Sequence, residues 1–179
     1  MASLSRLQSA GNMHIREAQP EDASAVIALF EKLYTETKFL LFEPGEATVS
    51  EEQYAQRIEQ SATTEIGVMF LAEVQRELIA ACFGNRGVAK RNRHSLFLVM
   101  GVLHSYSGNG VGNALLHAVE CWATSKQLHR LELTVDVTNQ RAISLYEKFG
   151  FQREGTKRHS LKIGGQYVDE YYMSKLIAD

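Results

Sequence analysis

Apolar positions along the chain switch between two periods, and the switches mark out the elements. Val26, Leu29, Phe30 and Leu33 recur at i, i+3, i+4 and i+7, which is one face of a helix. Pro20, Glu21 and Asp22 predict where that helix opens, because proline suits a first turn and acids suit the positive end of the helix dipole. Ser50, followed by Glu51, Glu52 and Gln53, forms a capping box and predicts a second helix to about residue 61. Val111, Leu115, Val119 and Trp122 predict a third, to about residue 126. A fourth covers residues 139–149 and stops at Gly150.

The strand pattern is as clear. Leu131, Leu133, Val135 and Val137 alternate with Glu132, Thr134, Asp136 and Thr138, a period of two. Residues 96–103 are apolar apart from Gly101, as expected of a strand buried on both faces at the centre of a sheet. Residues 14–17 predict a short first strand. Residues 68–74 and 78–83 predict a hairpin around Gln75, Arg76 and Glu77. Residues 152–163 and 167–176 predict another across Gly164 and Gly165. Residues 37–49 are too interrupted for a regular element. The central strand–glycine loop–helix–strand–helix run reads as a crossover between parallel strands. Hairpins at both ends make the expected class a mixed α/β (α+β) sheet protein, with one domain over residues 13–179 behind a loose polar leader at 1–12.

Composition narrows the functional classes. The chain has 179 residues, with 19 Lys and Arg against 21 Asp and Glu, a formal charge of −2. That balance argues against a nucleic-acid module and, with 45 % hydrophobic residues, against disorder. No signal-peptide core and no apolar run of membrane-spanning length is visible, so a cytoplasmic protein without membrane contact is the expectation. Cys82 and Cys121 have no CxxC spacing and read as two buried thiols in a reducing compartment; no metal site is expected.

The loop Gly108-Asn109-Gly110-Val111-Gly112 joins the apolar strand to a helix. Glycines let the backbone approach a ligand, and a helix start offers free N–H groups to an anion, so the loop reads as a phosphate cradle. A Walker A loop would need Lys and Ser or Thr after its last glycine, where Asn113 and Ala114 stand. A dinucleotide fingerprint would need a third glycine where Asn113 stands. The third pattern, Val-x-x-x-x-[Gln/Arg]-x-x-Gly-x-[Gly/Ala], fits Val102, Gly110 and Gly112, with Ser107 in the Gln/Arg place. Downstream, Asn139-Gln140-Arg141-Ala142-Ile143-Ser144-Leu145-Tyr146-Glu147-Lys148-Phe149-Gly150-Phe151 follows Asn-x-x-Ala-x-x-Leu-Tyr-x-Lys-x-Gly-Phe. In this order and spacing the two segments resemble the GNAT superfamily of N-acetyltransferases over nearly the whole chain.

The resemblance implies a mostly antiparallel sheet, flanked by helices and splayed between two parallel strands, with acetyl-CoA in the gap. It implies backbone pairing of the cofactor arm with Val102 and Leu103, and a pyrophosphate held by Ser107, Gly108, Asn109, Gly110, Val111, Gly112 and Asn113. It gives Asn139 a hydrogen bond to the arm and puts Tyr146 beside the thioester sulfur. The implied reaction is direct attack by a primary amine of a peptide N-terminus, amino acid or polyamine. Glu132 and His104 are candidate bases. The segment at residues 37–49, with Phe39, Leu41, Phe42, Glu43 and Glu46, and the hairpin at 164–167 are the expected acceptor surfaces. A homodimer is plausible within the family. The rival reading is a catalytically weak acyl-CoA-binding domain, favoured by Ser107.

Overall fold

Two adjacent residues with positive φ close the first hairpin. Gln75 (52°) and Arg76 (67°) form its two-residue turn, the geometry whose twist matches that of paired strands. Val74 faces Glu77 across it, so Glu77 begins the return strand rather than belonging to the turn. In the computed structural model the described residues are 13–177, and the leader expected over 1–12 lies outside them. The strands are β1 (His14–Glu17), β2 (Gly67–Val74), β3 (Glu77–Arg86), β4 (Ser95–Val102), β5 (Arg130–Asp136), β6 (Gln152–Ile163) and β7 (Gln166–Leu176). The helices are α1 (Ala23–Glu36), α2 (Glu51–Thr64), α3 (Val111–Ser125) and α4 (Gln140–Phe149). The capping box at Ser50 forms as expected, with both Ser50 and Gln53 side chains bonded.

The seven strands make one sheet in the order β1-β2-β3-β4-β5-β7-β6. Every pairing is antiparallel except β4 with β5. That parallel pairing covers only Ser95–Arg130, Leu96–Leu131 and Phe97–Glu132. Beyond it β4 runs on to Val102 and β5 to Asp136 without pairing, so the sheet opens into a wedge. This is the mixed, mostly antiparallel, splayed sheet that the family resemblance implies.

Each sheet face has its own core. On one, α3 and α4 bury Leu115, Leu116, Val119 and Ile143 against Leu96, Leu98, Leu131 and Leu133. On the other, Val26, Leu29, Phe30 and Leu33 of α1 and Ile58 of α2 pack on Leu71, Ala81 and Leu103. Gly101 is required here, since a Cβ would stand 2.7 Å from Leu33 Cδ1. No residue of β5, β6 or β7 belongs to this second core, so that layer ends at β4 and leaves the wedge open on that side. The helical stripe of α3 includes Leu116 and Ala123, and Trp122 is only half-buried. Cys121 departs from expectation: it lies on the outer side of α3 and is exposed, whereas Cys82 on β3 is buried.

Candidate active site

The wedge between β4 and β5 is a cleft of about 1050 Å³. Its β4 wall offers main-chain groups. Leu103 N–H donates to Ile79 O on the β3 side (2.9 Å), and Leu103 O accepts from Tyr106 N–H at 3.0 Å. Strand alternation then turns the N–H and C=O of Met100 and Val102 away from β3 and toward the gap. Val102 thus sits where sequence reasoning expects a pairing group, but Leu103 does not. Both its polar groups are taken, and Met100 stands in the matching position two residues back.

The glycine loop closes the cleft's outer end. Gly108 (φ 81°) and Gly110 (φ 83°) hold conformations that residues with a Cβ rarely adopt, and nothing lies within 4 Å of a Cβ placed on Gly110. Gly110 is the N-cap of α3 and contributes no side chain to it, so the first N–H groups of α3, from Val111, Gly112 and Asn113, have no intrahelical partner. Gly112 also has a packing role: a Cβ there would stand 2.7 Å from Leu145 Cδ2 on α4. Ser107 turns its hydroxyl back on its own chain, donating to Leu103 O at 3.4 Å. Of the expected loop residues, Asn109 alone lies outside the cleft lining.

Asn139 and Tyr146 reach the cleft from α4. Asn139 is the helix N-cap; its Oδ1 accepts from Ala142 N–H (3.2 Å), which leaves its Nδ2 as a donor. Tyr146 is 8 % exposed and packs against Phe151 with ring centroids 5.7 Å apart. Burial, helped by Cys82 nearby, pushes its phenol above the ordinary value, so it is a proton donor at neutral pH. Burial alone pushes the Cys82 thiol up to about 12, which leaves it inert as a nucleophile.

The rest of the cleft lining is built from side chains. Glu36 closes α1, and its Oε2 accepts the His104 N–H at 2.7 Å. His104 is exposed and lines the cleft there. Glu132 is not brought to the cleft: its carboxylate accepts from Arg130 Nε (2.7 Å), whose guanidinium also holds Glu154. Two acids that sequence reasoning missed do line it. Asp136 ends β5 and is 4 % exposed; its Oδ1 accepts from Thr138 N–H (2.6 Å) and Thr138 Oγ1 (2.7 Å). Glu170 on β7, 8 % exposed, stands directly opposite Asp136 in the ladder. On its other side is Lys157 of β6, whose Nζ is 3.6 Å from Glu170 Oε2, and Ser160 Oγ also donates to that carboxylate. Of the acceptor surface expected at 37–49, Phe39 and Leu41 line the cleft, joined by Leu40, whereas Phe42 packs edge-on against Tyr34 outside the lining. Glu43 and Glu46 do not line it either, and Glu46 instead accepts the Glu43 N–H. The turn residues of the β6–β7 hairpin also lie outside the lining, whereas Lys157 and Leu161 further along β6 are part of it.

A sheet parted between two parallel strands, with a glycine loop and an uncapped helix start at its mouth, defines an acyl-CoA-type transferase fold. The chain belongs to the acetyltransferase (GNAT) family, whose model matches residues 27–151. It is 41 % identical over 73 residues to the L-amino acid N-acetyltransferase AaaT of Escherichia coli, covering 40 % of this chain and 44 % of that protein. The chain spans about half the length of the curated relatives it matches. The crystal structure of a GNAT-family acetyltransferase from Streptococcus pneumoniae superposes with a TM-score of 0.89 at 30 % identity, over 93 % of this chain and all (100 %) of that one. The structure of yncA from Salmonella typhimurium, solved with its cofactor acetyl-CoA, shares the fold with a TM-score of 0.83 at 17 % identity, over 94 % and 96 % of the two chains. Among the described residues no helix is long and apolar enough to cross a membrane, and no group of side chains could hold a metal ion.

Proposed function

We propose that the protein is an acetyl-CoA-dependent N-acetyltransferase acting on a small primary amine, an amino acid or a related compound. The observation that carries this reading is the free main-chain edge of β4 beside an uncapped glycine loop, with a buried phenol between them. The cleft fits acetyl-CoA: Met100 and Val102 would pair with its amide arm as an added strand does, and the loop N–H groups from Gly108 to Asn113 would take the pyrophosphate. When bound, acetyl-CoA supplies a thioester open to direct attack by a neutral amine, with a thiolate as leaving group. Asn139 Nδ2 would orient the arm at the wedge.

Tyr146 would donate its phenolic proton to the leaving sulfur. In water that transfer runs uphill by about 1.5 pKa units, roughly 2 kcal/mol, from a phenol near 10 to a thiolate near 8.5. Burial raises the phenol further, so it stays protonated at neutral pH and serves as an acid and not as a base; a hydrogen bond to the developing thiolate, with the proton passed late, would carry the transfer.

The amine must lose a proton before attack, since an α-amine near pKa 8 is about one-tenth neutral at pH 7, and a lysine-like amine near 10.4 about one part in 2,500. Glu170 and Asp136, paired across β5 and β7, would hold the ammonium and accept its proton, directly or through water. Lys157 beside Glu170 would meet the carboxylate of an amino-acid acceptor, a reading also supported by the likeness to AaaT. The test is release of free thiol from acetyl-CoA across a panel of amino acids, polyamines and peptide N-termini. Turnover with an amino acid above the other amines is the expected result. Tight acetyl-CoA binding with no turnover on any amine overturns the enzyme reading in favour of an acyl-CoA-binding domain.

A further inference from the structure

We propose that Arg141 is the cationic partner of the acetyl-CoA pyrophosphate, supplying from α4 the long donor that Ser107 lacks. The assignment rests on the acetyl-CoA reading above and adds to it a residue outside the glycine loop.

Arg141 occupies the first turn of α4, two residues after the Asn139 cap, and its side chain crosses back to the loop. Its Nη2 lies 3.9 Å from the point where a Cβ would stand on Gly108. It lines the cleft, is exposed, and makes no hydrogen bond or ion pair among the described residues. A guanidinium beside the glycine loop, with no ion-pair partner among the described residues, is poised for an anion. Its planar fork matches two phosphate oxygens at once. The net charge of −2 offers no general field to attract polyphosphate, so a local cation has more to contribute. The other cation on this face of the helix, Lys148, stands seven residues on, about 10 Å along the axis, away from Gly108.

Calorimetric titration with CoA itself separates this role from turnover. Arg141→Ala should weaken CoA binding by about tenfold to a hundredfold, the range of a charge-assisted hydrogen bond. Arg141→Lys should recover part of the loss, as a point charge without the fork. The same fold-loss is expected with 3′-dephospho-CoA, and none with pantetheine, which lacks the pyrophosphate. The melting temperature should not move, because the side chain has no partner to lose. Arg91→Ala, which removes an exposed charge from the loop before β4, should leave binding unchanged. Binding by Arg141→Ala within twofold of the parent overturns the proposal, and so does a loss that vanishes with 3′-dephospho-CoA. A parent protein that binds no CoA overturns the acetyl-CoA reading, and this assignment with it.

Discussion

The lining of the cleft is made of two different materials. One part offers mostly main-chain groups: N–H groups of the loop and of the first turn of α3, and the unpaired edge of β4. The other consists of side chains gathered from distant parts of the chain, Glu36, His104, Asp136, Lys157 and Glu170. The first part fits a ligand whose polar groups repeat along an extended arm, as the amides and phosphates of CoA do. The second sets charge and shape one residue at a time, so it can change acceptor without disturbing the first. Substitutions in the two parts should therefore separate kinetically.

The largest separation is expected at Tyr146. Tyr146→Phe should lower kcat about a hundredfold, the lower range for a positioned general acid, and change the KM for acetyl-CoA little. Steady-state kinetics with both substrates varied would show it, and unchanged turnover would remove Tyr146 from the chemistry. A smaller and more selective effect is expected among the acidic lining side chains. Glu170→Gln keeps an acceptor for Ser160 but removes the charge facing the amine. It should lower kcat/KM for the amine by about tenfold, the scale of one charge-assisted hydrogen bond, and leave CoA binding within twofold. Equal losses for both substrates would mean that the two parts are not independent.

The smallest effect concerns the frame of the sheet at the paired base of the wedge. Arg130 and Ser174 hold the Glu154 carboxyl down at about 2, which ties β5 to β6 across β7. A carboxyl lowered on folding stabilises the protein above its unfolded pKa of about 4.3 and loses that contribution as pH falls toward 2. Because the pair is open to solvent, with the Glu154 side chain 44 % exposed, the contribution should be only about 0.2–1 kcal/mol. Urea midpoints of Glu154→Gln should lie slightly below those of the parent at pH 7, and the gap should close between pH 4 and 2. A gap that persists at pH 2 would mean that the pair does not carry it.

The same division explains what was legible in the sequence. Gly108 and Gly110 stand out because the turn demands glycine there, and Val102, Asn139 and Tyr146 because each fills a fixed place in the two family-like segments. Leu103 was misplaced by one residue because alternation along a strand decides which carbonyl faces the gap, and apolar runs do not reveal that parity. Glu132 was a candidate base for its place on the strand beside the gap, yet Arg130 two residues away on the same strand claims its carboxylate. Glu170 was hidden by a bulge. Counting back from the Gly164–Gly165 turn without irregularity sets His159 opposite Glu170, whereas the register shift between Lys157 and Leu161 brings Lys157 there. His159 takes a positive φ (51°) in that bulge, an arrangement no local propensity announces. Arg141 escaped notice because an arginine in a first helical turn is ordinary until the loop it overhangs is known.

The wedge has one more consequence. A bare strand edge is usually a hazard, because any passing segment can pair with it. Here two such edges face each other inside one sheet, anchored by only three residue pairs at their base. Whatever docks there is held by amides and carbonyls that every residue but proline possesses in full. Met100 and Val102 could exchange for other apolar residues without altering those bonds, so the contact surface can be preserved while its spelling drifts.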